Sequence, residues 1–317
     1  MSSSLRDLDA AQTPRFVQPG SFMRAPFAAA ANGVDIAMIG VPYDLGSSNR
    51  AGPRHGPAQV REMSRLIRAV NGSTGVSPFQ LCKVADLGDA PVNPLDQEQS
   101  LKDIEAFFRS ICATGAAPLS IGGDHTIPLP VIRALASKRQ PLGVVHFDSH
   151  PDTSDASYGN RFMNGTPFRR LIEEGLIDPK RYVQVGIRGT RWSDDAINWA
   201  LAQGVRIINI DEYESLGRAG VIEEIHRVVG KGPVYVTFDV DGLDPVHCPG
   251  TGAPEPGGLS MRDSLVMLRS FDDLDVVGGD VCEVSPPLDP SGHTAVNAAN
   301  LVFEILCVMA LARNRRS

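Results

Sequence analysis

Short apolar runs recur along the chain, each bounded by Gly, Pro or Asp. They are Val34–Val41, Cys82–Leu87, Ala117–Ile121, Gly143–Phe147, Tyr182–Ile187, Val205–Ile210, Val234–Phe238 and Val276–Val281. Most are nearly continuously apolar and rich in Val and Ile, the pattern of strands covered on both faces in a parallel sheet. Between them lie segments with helical periodicity: Gln99–Thr114, Leu129–Ser137, Asp194–Gln203 and Val221–Val229. Strand alternating with helix predicts a three-layer α/β/α fold. Pro and Gly are dispersed through loops with no linker among them, so residues 1–317 are expected to form a single domain. The loop-like composition of residues 1–30 predicts an N-terminal arm lying on a neighbouring subunit.

Composition narrows this picture. A chain of 317 residues can bury a large core without disulfides or structural metal. The net charge of −7 is spread in both signs, and no basic stripe points to nucleic acid. The five cysteines (Cys82, Cys112, Cys248, Cys282 and Cys307) form no CxxC pair, which fits reduced thiols in a cytoplasmic protein. Residues 1–19 lack the apolar core of a secretory signal. The most apolar stretch, Leu301–Ala312, is interrupted by Glu304 and is too short for a bilayer core of about 30 Å, so no membrane partner is expected.

Open parallel sheets place their sites beyond the carboxyl ends of the strands. Gly122-Gly123-Asp124-His125 follows Ala117–Ile121, and Asp148-Ser149-His150-Pro151-Asp152 follows Gly143–Phe147. Asp239-Val240-Asp241-Gly242-Leu243-Asp244-Pro245 follows Val234–Phe238, and Cys282-Glu283 follows Val276–Val281. In extended backbone, residues at i, i+2 and i+4 share a face, so Asp148, His150 and Asp152, and likewise Asp239 and Asp241, are expected to point at one spot. Four converging carboxylates repel unless cations neutralise them. Oxygen and imidazole donors without thiolate suit Mn²⁺ best, with Ni²⁺, Co²⁺ and Zn²⁺ as alternatives. Each motif alone fits an ordinary structural role. Gly-Gly-Asp-His could be a turn with a capping Asp, and the two Asp-rich runs could be a capped loop and a calcium loop. All of them in order, each after a buried-type strand, are hard to account for in that way.

These three stretches resemble the signatures of the ureohydrolase family, which includes arginase, agmatinase and the guanidino-acid hydrolases. The resemblance runs nearly end to end and is closest to guanidinobutyrase, guanidinopropionase and proclavaminate amidinohydrolase. Arg50-Ala51-Gly52-Pro53-Arg54-His55-Gly56-Pro57, Gly165-Thr166-Pro167-Phe168-Arg169 and Glu283-Val284-Ser285-Pro286-Pro287 support it. It implies an eight-stranded, mostly parallel sheet, a hexamer or trimer, and two Mn²⁺ ions sharing a hydroxide, with Ni²⁺ the main alternative. By resemblance, His125, Asp148, Asp152 and Asp239 would hold one ion, and Asp148, His150, Asp239 and Asp241 the other. Glu283 would pair with a guanidinium, and Asp152 would carry the proton to the leaving nitrogen.

Two positions depart from the family pattern. Asn164 stands where most relatives carry His, and it can hydrogen-bond but not titrate. Ser157 stands near where relatives often carry an aromatic residue or Met, so Asn164 and Ser157 are candidate substrate contacts in a reshaped pocket. His247 and Cys248 read as loop substitutions, and His146 as a residue supporting the metal ligands. The expected activity is hydrolysis of a guanidino acid such as 4-guanidinobutanoate to urea and an amine. Agmatine, or a small or N-substituted guanidine or biguanide, are the alternative substrates. A non-catalytic or weakly active subunit of a mixed oligomer is the alternative of another class.

Overall fold

The computed structural model describes residues 13–17 and 19–316. Among them, eight strands form one sheet: β1 Ile36–Gly40, β2 Val84–Asp89, β3 Ala117–Ile121, β4 Leu142–Phe147, β5 Ile177–Ile187, β6 Arg206–Asn209, β7 Pro233–Asp239 and β8 Asp275–Cys282. Their spatial order is β2-β1-β3-β8-β7-β4-β5-β6. Every pairing is parallel, so the mostly parallel expectation becomes an all-parallel sheet.

Nine α-helices among the described residues accompany the strands, eight between them and the ninth after β8: α1 Gly56–Met63, α2 Pro78–Leu81, α3 Gln97–Cys112, α4 Pro128–Leu135, α5 Pro167–Glu173, α6 Asp195–Gln203, α7 Ile210–Val229, α8 Met261–Arg269 and α9 His293–Arg316. They cover both faces. Ile36, Met38, Val145 and Phe147 belong to one core with residues of α7, α8 and α9, whereas Ala37, Ile39 and Val144 belong to the other with α3, α4 and α5. Alternate strand residues thus feed opposite layers, both buried, which is why the strands read as continuous apolar runs.

Local chemistry explains the helix boundaries. Asp96 caps α3 by accepting the Gln99 N–H, and Leu101, Ile104, Phe108 and Ile111 form its buried stripe. Helix α7 begins eleven residues before the expected Val221, because Asn209 caps it and Gly217, at φ 65°, breaks its regularity. Only residues after that break carry the buried stripe of Val221, Ile225, Val228 and Val229. The apolar run Leu301–Ala312 is the middle of α9, which at 24 residues is long and apolar enough to cross a membrane on those criteria alone. Its most apolar window is instead 78% buried inside the fold, and Glu304 is neutralised there by Arg269 and accepts from Asn71 Nδ2 at 2.8 Å.

Part of the stretch expected as an arm belongs to the core. Phe22 and Met23 are buried, and their N–H groups donate to Asp86 at 2.9 Å and Ser64 at 2.8 Å. Residues 1–12 lie outside the described residues.

Candidate metal centre

The four adjacent central strands β3, β8, β7 and β4 deliver the candidate residues at their carboxyl ends. After β3 the chain turns through Gly122 and Gly123, both at φ 81°. A Cβ on Gly122 would meet Pro57 at 2.4 Å, and one on Gly123 would meet the Val41 carbonyl at 2.6 Å, so only glycine fits this turn. Asp124 then accepts N–H groups from Gly46 at 2.7 Å and Thr126 at 2.9 Å, which makes it a capping residue of the loop. His125 points into the site.

The other carboxylates do not arrive by strand alternation. Asp152 sits at φ 48°, outside extended backbone, and Val240–Gly242 is a 3₁₀ turn capped by Asp239, whose side chain accepts the Asp241 N–H. Turns rather than a shared strand face therefore bring the clusters together. Asp152 and Glu283, at φ 64°, both hold backbone strain in this site.

His125 Nε2 lies 2.9 Å from Thr237 Oγ1, whose hydroxyl donates to Asp280 Oδ1 at 2.7 Å. The hydroxyl hydrogen is spent on Asp280, so it accepts from Nε2–H, which leaves Nδ1 as the ring nitrogen that faces the site. That Nδ1 is buried with no hydrogen-bond partner among the described residues. It lies 2.8 Å from Asp152 Oδ2, 3.0 Å from Asp148 Oδ2 and 3.3 Å from Asp239 Oδ2. A ring nitrogen facing three carboxylate oxygens becomes, once its proton is displaced, one of four donors converging on a cation. The second imidazole, His150, places Nδ1 3.1 Å from Asp241 Oδ2 and 3.6 Å from Asp148 Oδ1.

Asp148 is shared by both histidines and is oriented by a third. His146 Nε2 contacts Asp148 Oδ2 at 2.7 Å, and its Nδ1 contacts the Tyr182 hydroxyl at 2.7 Å. Gln184 Nε2 donates to that hydroxyl at 2.9 Å. Burial lowers the His146 pKa to about 4, so it is a neutral donor to Asp148 rather than a charge. Arg188, at the end of β5, ties down the opposite loop. Its Nη2 donates to the Asp241 carbonyl at 2.8 Å and the Leu243 carbonyl at 3.1 Å.

The electrostatics also call for cations. Burial, then Asp241 and Asp148, raise Asp239 well above the carboxylate range; burial and Asp148 raise Asp152 to about 7. Burial raises Asp241 too. Asp148 moves the other way: burial opposes its charge, but the imidazoles of His125, His146 and His150 around it outweigh that. Burial opposes charge on His125 and His150, but the surrounding aspartates overcome it and hold both well above the imidazole range. The cluster therefore retains protons unless another cation replaces them.

Glu283 is 4% exposed. Its Oε1 accepts the His125 N–H at 2.9 Å and Asn164 Nδ2 at 3.1 Å. Burial, followed by Asp124, raises its pKa to about 8. A cavity of about 510 Å³ opens onto this centre and is lined by His150, Asp152, Ser157 and Asn164.

A family model described as the arginase family matches residues 34–308. The chain belongs to the arginase family. A guanidinopropionase of Pseudomonas aeruginosa is 50% identical over 304 residues, covering 96% of this chain and 95% of that one. The proclavaminate amidinohydrolase structure from Streptomyces clavuligerus has a TM-score of 0.91 at 42% identity, covering 95% of this chain and all of that one. A Trypanosoma cruzi formiminoglutamase, solved with Mn²⁺, has a TM-score of 0.78 at 26% identity, covering 87% of this chain and 94% of that one.

In this arginase-family chain, the six residues read as candidate ligands lie together, with Glu283 and Asn164 hydrogen-bonded beside them. Ser157 is half-buried in the cavity wall. His247 and Cys248 are absent from that wall; Cys248 is buried and the His247 carbonyl accepts from Asn297 at 2.7 Å. Sequence reading missed Thr237, Asp280, Tyr182 and Arg188. Only Arg188 had a visible signal, as a charge immediately after a buried strand.

Proposed function

We propose that the chain hydrolyses a guanidino acid to urea and an amino acid, at a centre holding two divalent cations. His125, Asp148, Asp152 and Asp239 would hold one ion; Asp148, His150, Asp239 and Asp241 would hold the other. The observation that carries this reading is the buried His125 Nδ1 facing three carboxylates beneath an open cavity, whose lining Asp152 reaches. The oxygen and imidazole donor set favours Mn²⁺, with Ni²⁺ second. When bound, the cations supply Lewis acidity that makes water nucleophilic near neutral pH.

The chain's own residues do the rest. Glu283 offers a carboxylate to the planar guanidinium, and its Oε1 is pinned by two donors, leaving Oε2 to the substrate. Asp152, beside His125 and open to the cavity, takes a proton from water and passes it to the leaving nitrogen. Asn164 orients Glu283 but carries no proton. A guanidino acid is favoured by the relatives named guanidinopropionase and guanidinobutyrase, at 50% and 40% identity. The complete donor set argues against a non-catalytic subunit.

The test is a urea-release screen of the Mn²⁺-loaded and Ni²⁺-loaded protein over guanidino acids, agmatine, alkylguanidines and biguanides, with metal content measured by plasma mass spectrometry. Close to two ions per chain and the highest kcat/KM on a guanidino acid are expected. One ion per chain, or urea release from none of the panel, would overturn the proposal.

A further inference from the structure

The floor of the cavity is acidic, but its walls are not. Outside the candidate ligands, the charged residues lining it are Asp155, Asp195, Arg169, Arg188 and Arg191, which leaves one net positive charge. Of the two acids, Asp155 is paired with arginines, whereas Asp195 has a hydroxyl donor and no basic partner among the described residues. Asp155 accepts from Arg170 at 2.7 Å and lies 3.4 Å from Arg161 and 3.5 Å from Arg169; Asp195 accepts from Ser193 Oγ at 2.9 Å. The Arg170 hydrogen bond, against slight desolvation, holds the Asp155 carboxyl below its ordinary range.

The three arginines differ in what they have left to offer. Arg188 is used up: its three guanidinium nitrogens all donate to backbone carbonyls, among them Glu255, Gly242 and Asp241. Arg169 is partly used. Its Nε donates to Glu173 at 3.1 Å and its guanidinium lies 4.5 Å over the Trp199 ring. Arg191 is anchored through Nε, to Asp194, which is not part of the cavity lining, and neither of its terminal nitrogens has an acceptor among the described residues. A fork held at Nε with both terminal nitrogens open is the arrangement that receives a planar anion.

We propose that Arg191 reads the tail carboxylate of the substrate, with Arg169 adding positive charge to the same wall. This rests on the guanidino-acid reading and deepens it. The substrate is a zwitterion at neutral pH. Its guanidinium goes to the acidic floor at Glu283 and its carboxylate to the cationic wall, so opposite charges at the two ends fix its direction of entry. A cationic tail such as that of agmatine meets the open Arg191 fork on the same wall, against which Asp195 is the one lining acid without a basic partner among the described residues.

The experiment measures urea release by the metal-loaded protein on 4-guanidinobutanoate, n-butylguanidine and agmatine, which differ at the tail. Arg191→Gln should lower the kcat/KM ratio of 4-guanidinobutanoate to n-butylguanidine by about tenfold or more, mostly through KM, because a charge-assisted hydrogen bond to the tail is lost. Arg191→Glu should lower it further and raise agmatine relative to n-butylguanidine. An unchanged ratio in both variants, with the wild-type protein active on guanidino acids, would overturn the subsite and leave the proposed function standing. Wild-type protein that releases urea only from agmatine or alkylguanidines would overturn the guanidino-acid reading and the subsite with it.

Discussion

The floor and the walls of the cavity are built on opposite principles. On the floor, the functional groups are held by hydrogen bonds from neighbours that are buried or partly buried. Thr237 and Asp280 fix the His125 tautomer, His146 and Tyr182 aim Asp148, and Arg188 ties down the loop of Asp241. On the walls, Ser157 is half-buried, Arg191 is held by one neighbour, and Trp192 is fully exposed. The floor is thus preorganised for one chemistry, whereas the walls can change from one relative to another at little cost to the fold. The contrast predicts that floor substitutions abolish turnover and metal binding, while wall substitutions redistribute substrate preference.

The largest effect should come from Asp239, which faces His125 and caps the turn that carries Asp241. Asp239→Ala removes a ligand proposed to be shared by both ions, and that cap with it. Loss of most bound metal, and of urea release by roughly 10³-fold or more, is expected from plasma mass spectrometry and steady-state assays. Two ions per chain with full activity would remove Asp239 from the centre.

Next comes Glu283. Glu283→Gln keeps the volume and the acceptor for the His125 N–H but loses the charge proposed to pair with guanidinium. Turnover should fall on the order of 10²-fold or more, with metal content near normal. Metal loss equal to that of Asp239→Ala would make Glu283 a ligand instead of a substrate contact.

A third outcome concerns pH and separates metal-free from loaded protein. Folded, metal-free Asp152 keeps its proton up to about pH 7, whereas an unfolded Asp releases it near 4. Between those values the folded chain binds more protons, so its stability falls as pH rises. His125 and His150, raised as well, act in the same direction, since their stabilising charge is lost as pH climbs through their folded pKa. Asp148, held low, acts oppositely only in acid. The Tm of chelator-treated protein should therefore fall from about pH 4 to 7 and go on falling above that as the histidines lose their charge, while that of loaded protein should change less. Metal affinity should rise over the same interval, because the ions displace those protons. Parallel Tm curves would show that the cluster does not exchange protons for metal.

The same division accounts for what the sequence made legible. The sheet could be read because both faces of its strands are buried, leaving unbroken apolar runs such as Ala117–Ile121, whose ends coincide with β3. The floor ligands could be read because Asp and His directly after such runs stand where a parallel sheet gathers its reactive groups. How they converge could not, since Asp152 reaches its place through positive φ that spacing does not encode. Thr237 and Asp280 were hidden because a Thr and an Asp inside strands look like ordinary polar interruptions; only the fold puts both next to His125. The walls were least legible. Which arginine of Arg169, Arg188 and Arg191 is left free depends on carbonyls and acids contributed by distant segments, such as Glu255 and Glu173.

Asn164 belongs to both regions and gives the smallest and most discriminating effect. It lines the cavity, yet its Nδ2 donates to Glu283 Oε1 at 3.1 Å. An imidazole there is longer and its ring nitrogens lie in different directions from an amide NH₂. It would have to enter the cavity beside Gly165 and Ser157, which line the same wall. Asn164→His should therefore weaken the Glu283 contact, costing about 1 kcal/mol, or roughly fivefold in kcat/KM on guanidino acids. The loss should be smaller for n-butylguanidine if the bulk of the ring also disturbs the path of a carboxylate tail toward Arg191. The opposite result is equally informative. A uniform gain on guanidino acids would mean that a titratable group is missing from this chain. Proton delivery through Asp152 would then be rate-limiting, and the floor, not the wall, would be where this sequence departs from its relatives.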